Sequence, residues 1–169
     1  RTGSLSGTGG AQESGHDRTP GMTKTTFATL DDHRQAASQW FVVDASQHTL
    51  GRMAVRIAQA LMGKDKPLYT PHINVGNGVI VLNAEKVGVT GMKRERRVYT
   101  RWTGYVGGLR EETLGERLES NPEKLIKDAV RRMLPKSRLG HDMLRRLKVY
   151  RGAQHPHAAQ NPTELSVPR

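Results

Sequence analysis

A short, unbroken apolar run constrains the fold of this chain more than any other feature. Val79-Ile80-Val81-Leu82 contains no polar position, and such a run is typical of a β-strand that is covered on both faces. Trp40-Phe41-Val42-Val43-Asp44 is a second short, apolar, β-branched run and predicts another buried strand. Because both faces of these strands must be covered, we expect helices packed against a sheet.

The strongest predicted helix lies between these two strands, from about Thr49 to Met62. Its apolar residues recur at intervals of three and four and form one stripe: Leu50, Met53, Ala54, Ile57, Ala58, Leu61 and Met62. Gly63 follows directly and predicts the end of the helix, since glycine adopts the left-handed conformation without steric cost.

Two more helices are predicted in the second half of the chain. A short one begins between Thr113 and Leu118, and a longer one begins at Asn121-Pro122, with Asn as the N-cap and Pro in the first turn. The longer helix ends before Pro135. Its predicted buried face consists of Leu125, Ile126, Ala129, Val130 and Met133.

The order of these elements predicts a three-layer α/β domain with a small, mostly parallel sheet. Val87-Gly88-Val89-Thr90 is predicted to add a short strand, with Gly91 in the turn that follows. Residues 1–22 are rich in Gly, Ser and Thr and are predicted to be a disordered tail. A start at Met22, with a cloning remnant or an extension before it, fits this segment better than an organelle transit peptide, because it is neither Arg-rich nor amphipathic.

Composition excludes several classes of protein. The chain has no cysteine, which excludes a disulfide framework, a thiolate zinc site and cysteine catalysis. No apolar run approaches the roughly 20 residues that a membrane helix requires. We therefore expect a soluble protein with no membrane partner.

Charge points to a nucleic-acid partner. The formal net charge is +11 and the isoelectric point is near 10.4, and a value above about 9 is typical of small nucleic-acid-binding domains. All of the excess lies in residues 40–169, where 23 basic residues face 12 acidic ones. It concentrates in two basic runs, Lys93–Arg101 with five cations and Arg131–Arg151 with eight, and each run contains a single acid.

The motifs of common enzymes and metal sites are not completed in this sequence. Gly76-Asn77-Gly78 precedes a strand, whereas a dinucleotide-binding loop follows one. Asp44 follows a strand, but no nucleophile or base accompanies it, so we interpret it as a turn residue that accepts backbone N–H bonds. His155-Pro156-His157 and His72 are more simply read as loop histidines that contact backbone or RNA. We expect no catalytic residue, no metal, no cofactor and no small-molecule substrate.

The segment from Tyr99 to Gly108 combines aromatic residues with glycines beside the first basic run. Tyr99, Trp102 and Tyr105 offer ring faces on which bases stack, at about 1–3 kcal/mol each. The glycines let backbone amides approach phosphates. We interpret the segment as an RNA-contacting loop in which at least one aromatic residue packs in the core instead.

The second basic run is predicted to mix loop and helix. Met133 to Gly140 is a basic, turn-rich loop. Leu139, Met143, Leu144 and Leu147 then form the apolar side of a short helix that carries Arg145 and Arg146 on its outer side. Lys148 and Arg151 extend the charge. Arginine suits this function because its planar guanidinium binds phosphate through two donors and stacks on bases.

Many ordered motifs together resemble the bacterial form of the universal large-subunit ribosomal protein thirteen family. They cover about Thr23 to Leu165, and the most specific are Met133-Leu134-Pro135-Lys136 and Leu147-Lys148-Val149-Tyr150. The other matching segments are Trp40–Ala45, Thr49–Ala54, Tyr69–His72, Val81–Val87, Val89–Gly91, Tyr99–Gly108 and His155–Gln160. Residues 1–21 have no counterpart in the family pattern, and Leu139-Gly140-His141-Asp142 carries His and Asp where the family is usually more basic.

The resemblance implies an α/β/α sandwich around a four-stranded, mainly parallel sheet, with one domain over residues 23–165 and a short tail over 166–169. It also implies a cytoplasmic, non-catalytic constituent of the large ribosomal subunit that binds 23S-type ribosomal RNA, contacts neighbouring ribosomal proteins and supports early subunit assembly. The residues predicted to bind RNA are Lys93, Arg94, Arg96, Arg97, Arg101, Trp102, Tyr105, Lys136, Arg138, Arg145, Arg146, Lys148, Arg151, His155 and His157.

Two other functions stay open at this point. An α/β enzyme that acts on RNA or nucleotides would need a pocket with perturbed acids or a cofactor loop. A regulatory RNA-binding module outside the ribosome, such as a translational repressor, would use the same basic surface. Fractionation separates this regulatory module from a ribosome constituent, because a ribosome constituent is stoichiometric with the subunit.

Overall fold

The computed structural model describes residues 27–29, 31 and 39–167. The predicted disordered tail over residues 1–22 lies outside the described residues. In chain order the elements are β1 (Trp40–Asp44), α1 (Leu50–Met62), β2 (Gly78–Leu82), α2 (Lys93–Arg96), β3 (Val98–Trp102), β4 (Leu109–Thr113), α3 (Leu114–Ser120), α4 (Pro122–Met133), α5 (Arg138–Arg145), β5 (Leu147–Val149) and β6 (Thr163–Glu164).

A parallel four-stranded sheet forms the centre of the fold, in the order β5-β2-β1-β6. Because side chains alternate between the faces of a strand, the register places one apolar set on a single face: Phe41, Val43, Val79, Val81, Leu147 and Val149. This face belongs to the main core with α1 and α4. Ile80 points to the opposite face and is also fully buried, so β2 is covered on both sides. The predicted α/β class and parallel sheet are confirmed.

Helix α1 confirms the predicted apolar stripe. Met53, Ile57 and Leu61 are fully buried, and each such side chain stabilises the fold by roughly 1.5–3 kcal/mol. Gly63 ends the helix with φ +76°, in the left-handed region. Gly76 approaches the end of the same helix so closely that a Cβ there would lie 1.7 Å from the Leu61 carbonyl oxygen. The 74–78 loop therefore packs directly against α1.

Helices α3 and α4 follow the predicted boundaries, but the cap of α4 and the burial of its last residue differ from the prediction. The Thr113 side chain accepts a hydrogen bond from the Glu116 amide and Glu116 accepts one from the Thr113 amide, which forms a capping box. Pro122 lies in the first turn of α4 as predicted, but the Asn121 side chain makes no capping hydrogen bond. Met133 was predicted to be buried and is 40% exposed, because it is the last residue of α4 and lies at the edge of a cleft.

Two predictions about strands were wrong. Residues 87–90 do not form a strand; only Gly88 makes a parallel bridge, to Thr49, because the chain turns into α1 at Leu50. Conversely, Leu147–Val149 is a strand of the main sheet, whereas Leu147 was predicted to lie on the apolar side of a helix and Lys148 to extend the charge after it. None of the described helices is both long enough and apolar enough to cross a membrane.

Candidate nucleic-acid interface

The first basic run begins on a short, fully exposed helix. Lys93, Arg94 and Arg96 lie on α2, and all three side chains are exposed. Lys93 donates to the Thr90 hydroxyl over 3.4 Å. Within the described part of the chain, no ion pair joins Arg96 or Arg101 to an acid. These cations are therefore available to a partner that carries negative charge.

The predicted aromatic loop is a β-hairpin instead. Strands β3 and β4 pair antiparallel, from Val98 opposite Thr113 to Trp102 opposite Leu109. Gly104 and Gly107 lie in the tight connection with φ +97° and +72°, and this conformation explains the glycines. Most positions of both strands are exposed, and the less exposed ones lie near the base, so the end residues of the hairpin lie away from the core.

The hairpin end presents two exposed aromatic rings. Trp102 is 67% exposed and Tyr105 is 79% exposed. The indole Nε1 of Trp102 donates to the Tyr105 carbonyl oxygen over 3.1 Å, which fixes the ring relative to the turn. Two exposed rings at one turn offer faces that suit stacking against bases.

Tyr99 has the structural function that was predicted for at least one aromatic residue. Its ring packs against the main core, and the guanidinium carbons of Arg117, Arg97 and Arg132 lie 4.6, 5.4 and 5.8 Å from the ring centre. Arg117 is itself buried and forms an ion pair with Asp128 of α4. Tyr99 thus attaches the base of the hairpin to α3 and α4.

The second basic run presents two exposed cations after α4, Lys136 in the connecting loop and Arg138 at the first position of α5. Lys136 and Arg138 are exposed, and the described residues provide no acid that pairs with either. Ser137 caps α5 by accepting a hydrogen bond from the Gly140 amide over 3.3 Å. The cap fixes the loop geometry while both cations stay accessible.

Arg145 and Arg146 differ, which corrects the prediction that both lie on the outer side of the helix. Arg145 is exposed and pairs with Asp142 over 3.2 Å. Arg146 is half-buried, and its Nη1 donates to the Gly76 carbonyl oxygen over 2.6 Å and to Asn74 Oδ1 over 3.4 Å. Burial lowers the pKa of Arg146, while Asp142 acts in the opposite direction. The reason is that α5 ends at Arg145, so the helical repeat no longer determines where Arg146 points.

The remaining predicted residues also make contacts within the protein. Arg151 donates to the Ser120 carbonyl oxygen over 2.7 Å and lies 4.0 Å from Glu123. His157 stacks on Trp40 at 5.9 Å, and its Nε2 is 2.7 Å from the Tyr150 hydroxyl. His155 accepts a hydrogen bond from the His157 amide at Nδ1. Lys148 is half-buried in β5. In the described ranges, no three His, Asp or Glu side chains form a group that could hold a metal ion.

Asp44 has the turn function that was predicted for it. Burial acts to raise its pKa, but hydrogen bonds from Asn83 and from the amide and hydroxyl of Ser46 outweigh this effect and hold the pKa below its usual value. The carboxylate is thus engaged in connecting the ends of β1 and β2.

A cleft of about 650 Å³ lies between the two basic runs. Its four cations come from three separate places in the sequence: Arg52, the pair Lys93 and Arg97, and Arg132. Neither Arg52 nor Arg132 was among the residues predicted to bind RNA, although Arg132 belongs to the second basic run. One signal was present, because the first turn of α1 contains Arg52 and no acid, whereas helix N-termini favour acids.

Comparisons with known proteins give a consistent result. The family model described as Ribosomal protein L13 matches residues 38–156. The large ribosomal subunit protein uL13 of Stenotrophomonas maltophilia strain K279a is 52% identical over 143 residues, which cover 85% of this chain and 99% of that protein. The protein of the same name from Thermosipho africanus is 48% identical over 149 residues, covering 88% of this chain and 98% of that protein.

Proposed function

The chain belongs to the ribosomal protein L13 family, and on that premise we propose that it is a structural constituent of the large ribosomal subunit in the bacterial cytoplasm. It acts there without catalysis, binds 23S-type ribosomal RNA and supports early assembly of the subunit. Neighbouring large-subunit proteins are its other partners. The convergence of two sequence-distant basic runs at one cleft is the observation that carries the RNA-binding part of this proposal.

The proposed RNA surface uses cations that have no acidic partner, together with the hairpin aromatics. Arg96 and Arg101 of the first basic run and Lys136 and Arg138 of the second, all of them exposed, provide phosphate contacts. Trp102 and Tyr105 stack on unpaired bases. Lys93, Arg94, Arg97, Arg145 and Lys148 extend this surface. Phosphate contacts supply most of the affinity, and RNA shape and stacking supply the specificity.

Four other predicted residues stabilise the segments that carry this surface. Contacts within the protein occupy the side chains of Arg146, Arg151, His155 and His157. Arg146 links the start of β5 to the 74–76 loop, and His157 holds the segment after β5 against β1. These contacts keep the basic loops in a fixed arrangement. The loops can then bind distant RNA segments and hold them together.

Sedimentation tests the proposed function. Tagged protein in a gentle lysate is separated on a gradient and then washed at moderate salt. We expect stoichiometric migration with the large subunit that survives the wash. Migration as a free, light species would exclude a structural constituent, and a small ribosome-bound fraction with a large free pool would favour the regulatory module.

A further inference from the structure

The cleft between the basic runs has the position at which α/β proteins bind ligands. Its lining includes Thr49 and Leu50, which begin α1 after β1, and Gly88 to Thr90, which follow β2. Both segments lie beyond the carboxyl ends of parallel strands, where open α/β sheets place their ligands. The volume of about 650 Å³ lies within the range of roughly 300–1,000 Å³ that is usual for sites of small organic groups.

The charge of the cleft favours an anion. Four cations line it, namely Arg52, Lys93, Arg97 and Arg132, against one carboxylate, that of Asp128. Asp128 is already paired, with Arg117 and with Arg131. The positive charge of the lining is therefore largely uncompensated, and the arginines are suited to phosphate oxygens.

Apolar side chains form another part of the lining, the apolar wall. It consists of Leu50, Val55, Val89, Ala129 and Met133. Val55 on α1 is 46% exposed and Met133 is 40% exposed. An inorganic anion would leave this wall in contact with water. A ligand that contacts both parts of the lining combines an apolar part with an anionic part.

We propose that the cleft holds a single unstacked nucleotide of the ribosomal RNA, with its base against the apolar wall and its phosphate among the four cations. This inference rests on the proposed function. An acidic peptide with apolar side chains would share part of this chemistry. The nucleotide is favoured because Arg97 directly precedes β3, so the cleft is continuous with the hairpin that carries Trp102 and Tyr105. Bulged and looped nucleotides are the parts of an RNA that proteins recognise by base.

Nuclear magnetic resonance of the ¹⁵N-labelled full chain tests this inference. Adenosine and uridine 5′-monophosphates, the two nucleosides, inorganic phosphate and a short Glu/Leu peptide are titrated separately. We expect the nucleotides to shift the amide signals of Gly51, Gly88 and Thr90. The affinity for inorganic phosphate and for the nucleosides should be at least about tenfold lower than for the nucleotides, because each of them supplies only half of the contacts.

Matched variants make the test specific. Val55→Glu places a negative charge on the apolar wall at an exposed helical site and should weaken nucleotide binding at least about tenfold, whereas Val55→Ile should retain it. Arg52→Gln should weaken it about three- to tenfold, in the range of a charge-assisted contact. Lys124→Gln removes the same charge from α4 outside the cleft and should have less than a twofold effect.

Three results would overturn the inference. In the first, the nucleotides shift the cleft amides no more than inorganic phosphate does. In the second, they shift the amides of residues 136–138 as much as those of the cleft. The third is that the peptide binds more tightly than the nucleotides. The last would make the cleft a protein-docking site. Binding of extracted large-subunit RNA to the wild-type chain is measured in parallel. If that binding is intact while the nucleotide test fails, only the inference is wrong; if the wild-type chain does not bind the RNA, the proposed function fails.

Discussion

Arg101 and Arg146 both belong to basic runs, yet they occupy opposite environments. Arg101 projects from β3 with an exposed side chain and no acidic partner in the described part of the protein. Arg146 is half-buried and donates to the Gly76 carbonyl oxygen. Lys136 and Arg138 likewise have no acidic partner among the described residues, whereas Arg151, although exposed, donates to the Ser120 carbonyl oxygen. A basic run in a sequence therefore contains two populations: cations free to bind a polyanion and cations that hold the fold.

The largest expected effect comes from removing four members of the free population. We expect Arg96→Ala/Arg101→Ala/Lys136→Ala/Arg138→Ala to weaken binding to extracted large-subunit RNA roughly 100- to 1,000-fold near 0.1 M salt, because each phosphate contact releases counterions. The free energy of unfolding should change by less than about 0.5 kcal/mol per site. Filter binding and urea denaturation measure the two quantities. Unchanged RNA binding would remove these residues from the interface.

Arg146→Ala should show the opposite behaviour. Loss of a charge-assisted bond to the Gly76 carbonyl should lower the free energy of unfolding by about 1.5–3 kcal/mol. RNA affinity per folded molecule should change little. Circular dichroism during urea unfolding measures the stability, with Arg145→Ala on the exposed side of the same turn as the matched control. A variant that is fully stable but deficient in RNA binding would place Arg146 in the free population.

Substitutions at the end of the hairpin should have an intermediate effect, on RNA affinity and not on stability. Trp102→Ala should weaken RNA binding by about 1–3 kcal/mol if a base stacks on the indole. Trp102→Phe retains a ring face but loses the bond to the Tyr105 carbonyl, so it should retain most of the affinity. Fluorescence anisotropy with a labelled ribosomal RNA fragment provides the measurement. Equal affinities for all three proteins would show that the ring contacts no base.

The smallest effect is expected at the histidine contact. His157→Ala removes the bond to the Tyr150 hydroxyl and the stack on Trp40, and should lower the free energy of unfolding by about 1 kcal/mol. The exposed His72 serves as the control, since His72→Ala should leave thermal unfolding unchanged. A loss of RNA affinity without a loss of stability would assign His157 to the RNA surface.

The sequence predicted the parts of the fold that local patterns determine. The stripe of α1, the glycine at its end and the unbroken run of β2 each depend on neighbours within a few positions. Strand β5 was not predicted, because the charged Lys148 at its middle interrupts the apolar pattern. Its flanking residues Leu147 and Val149 are buried. The β3–β4 hairpin was missed because its strands are largely exposed and lack an apolar alternation.

The candidate site was less predictable, because it depends on tertiary contacts. No local pattern distinguishes Arg138 from Arg146; the difference is the loop at residues 74–76, about seventy positions earlier, which accepts hydrogen bonds from one of them. The cleft likewise joins α1, α2 and α4, whose cations are far apart in the sequence. Charge clustering predicted the candidate surface, and only the fold separated its exposed cations without acidic partners from those that make contacts within the protein.

The salt dependence of RNA binding by two matched double variants tests the central claim most directly. Lys136→Ala/Arg138→Ala and Arg146→Ala/Arg151→Ala each remove two positive charges from the second basic run. We predict that the first reduces the slope of log affinity against log salt by about 1.4–1.8, as two phosphate contacts would, and that the second leaves the slope of the folded protein unchanged. Equal reductions in the two variants would contradict the division between cations that bind RNA and cations that hold the fold.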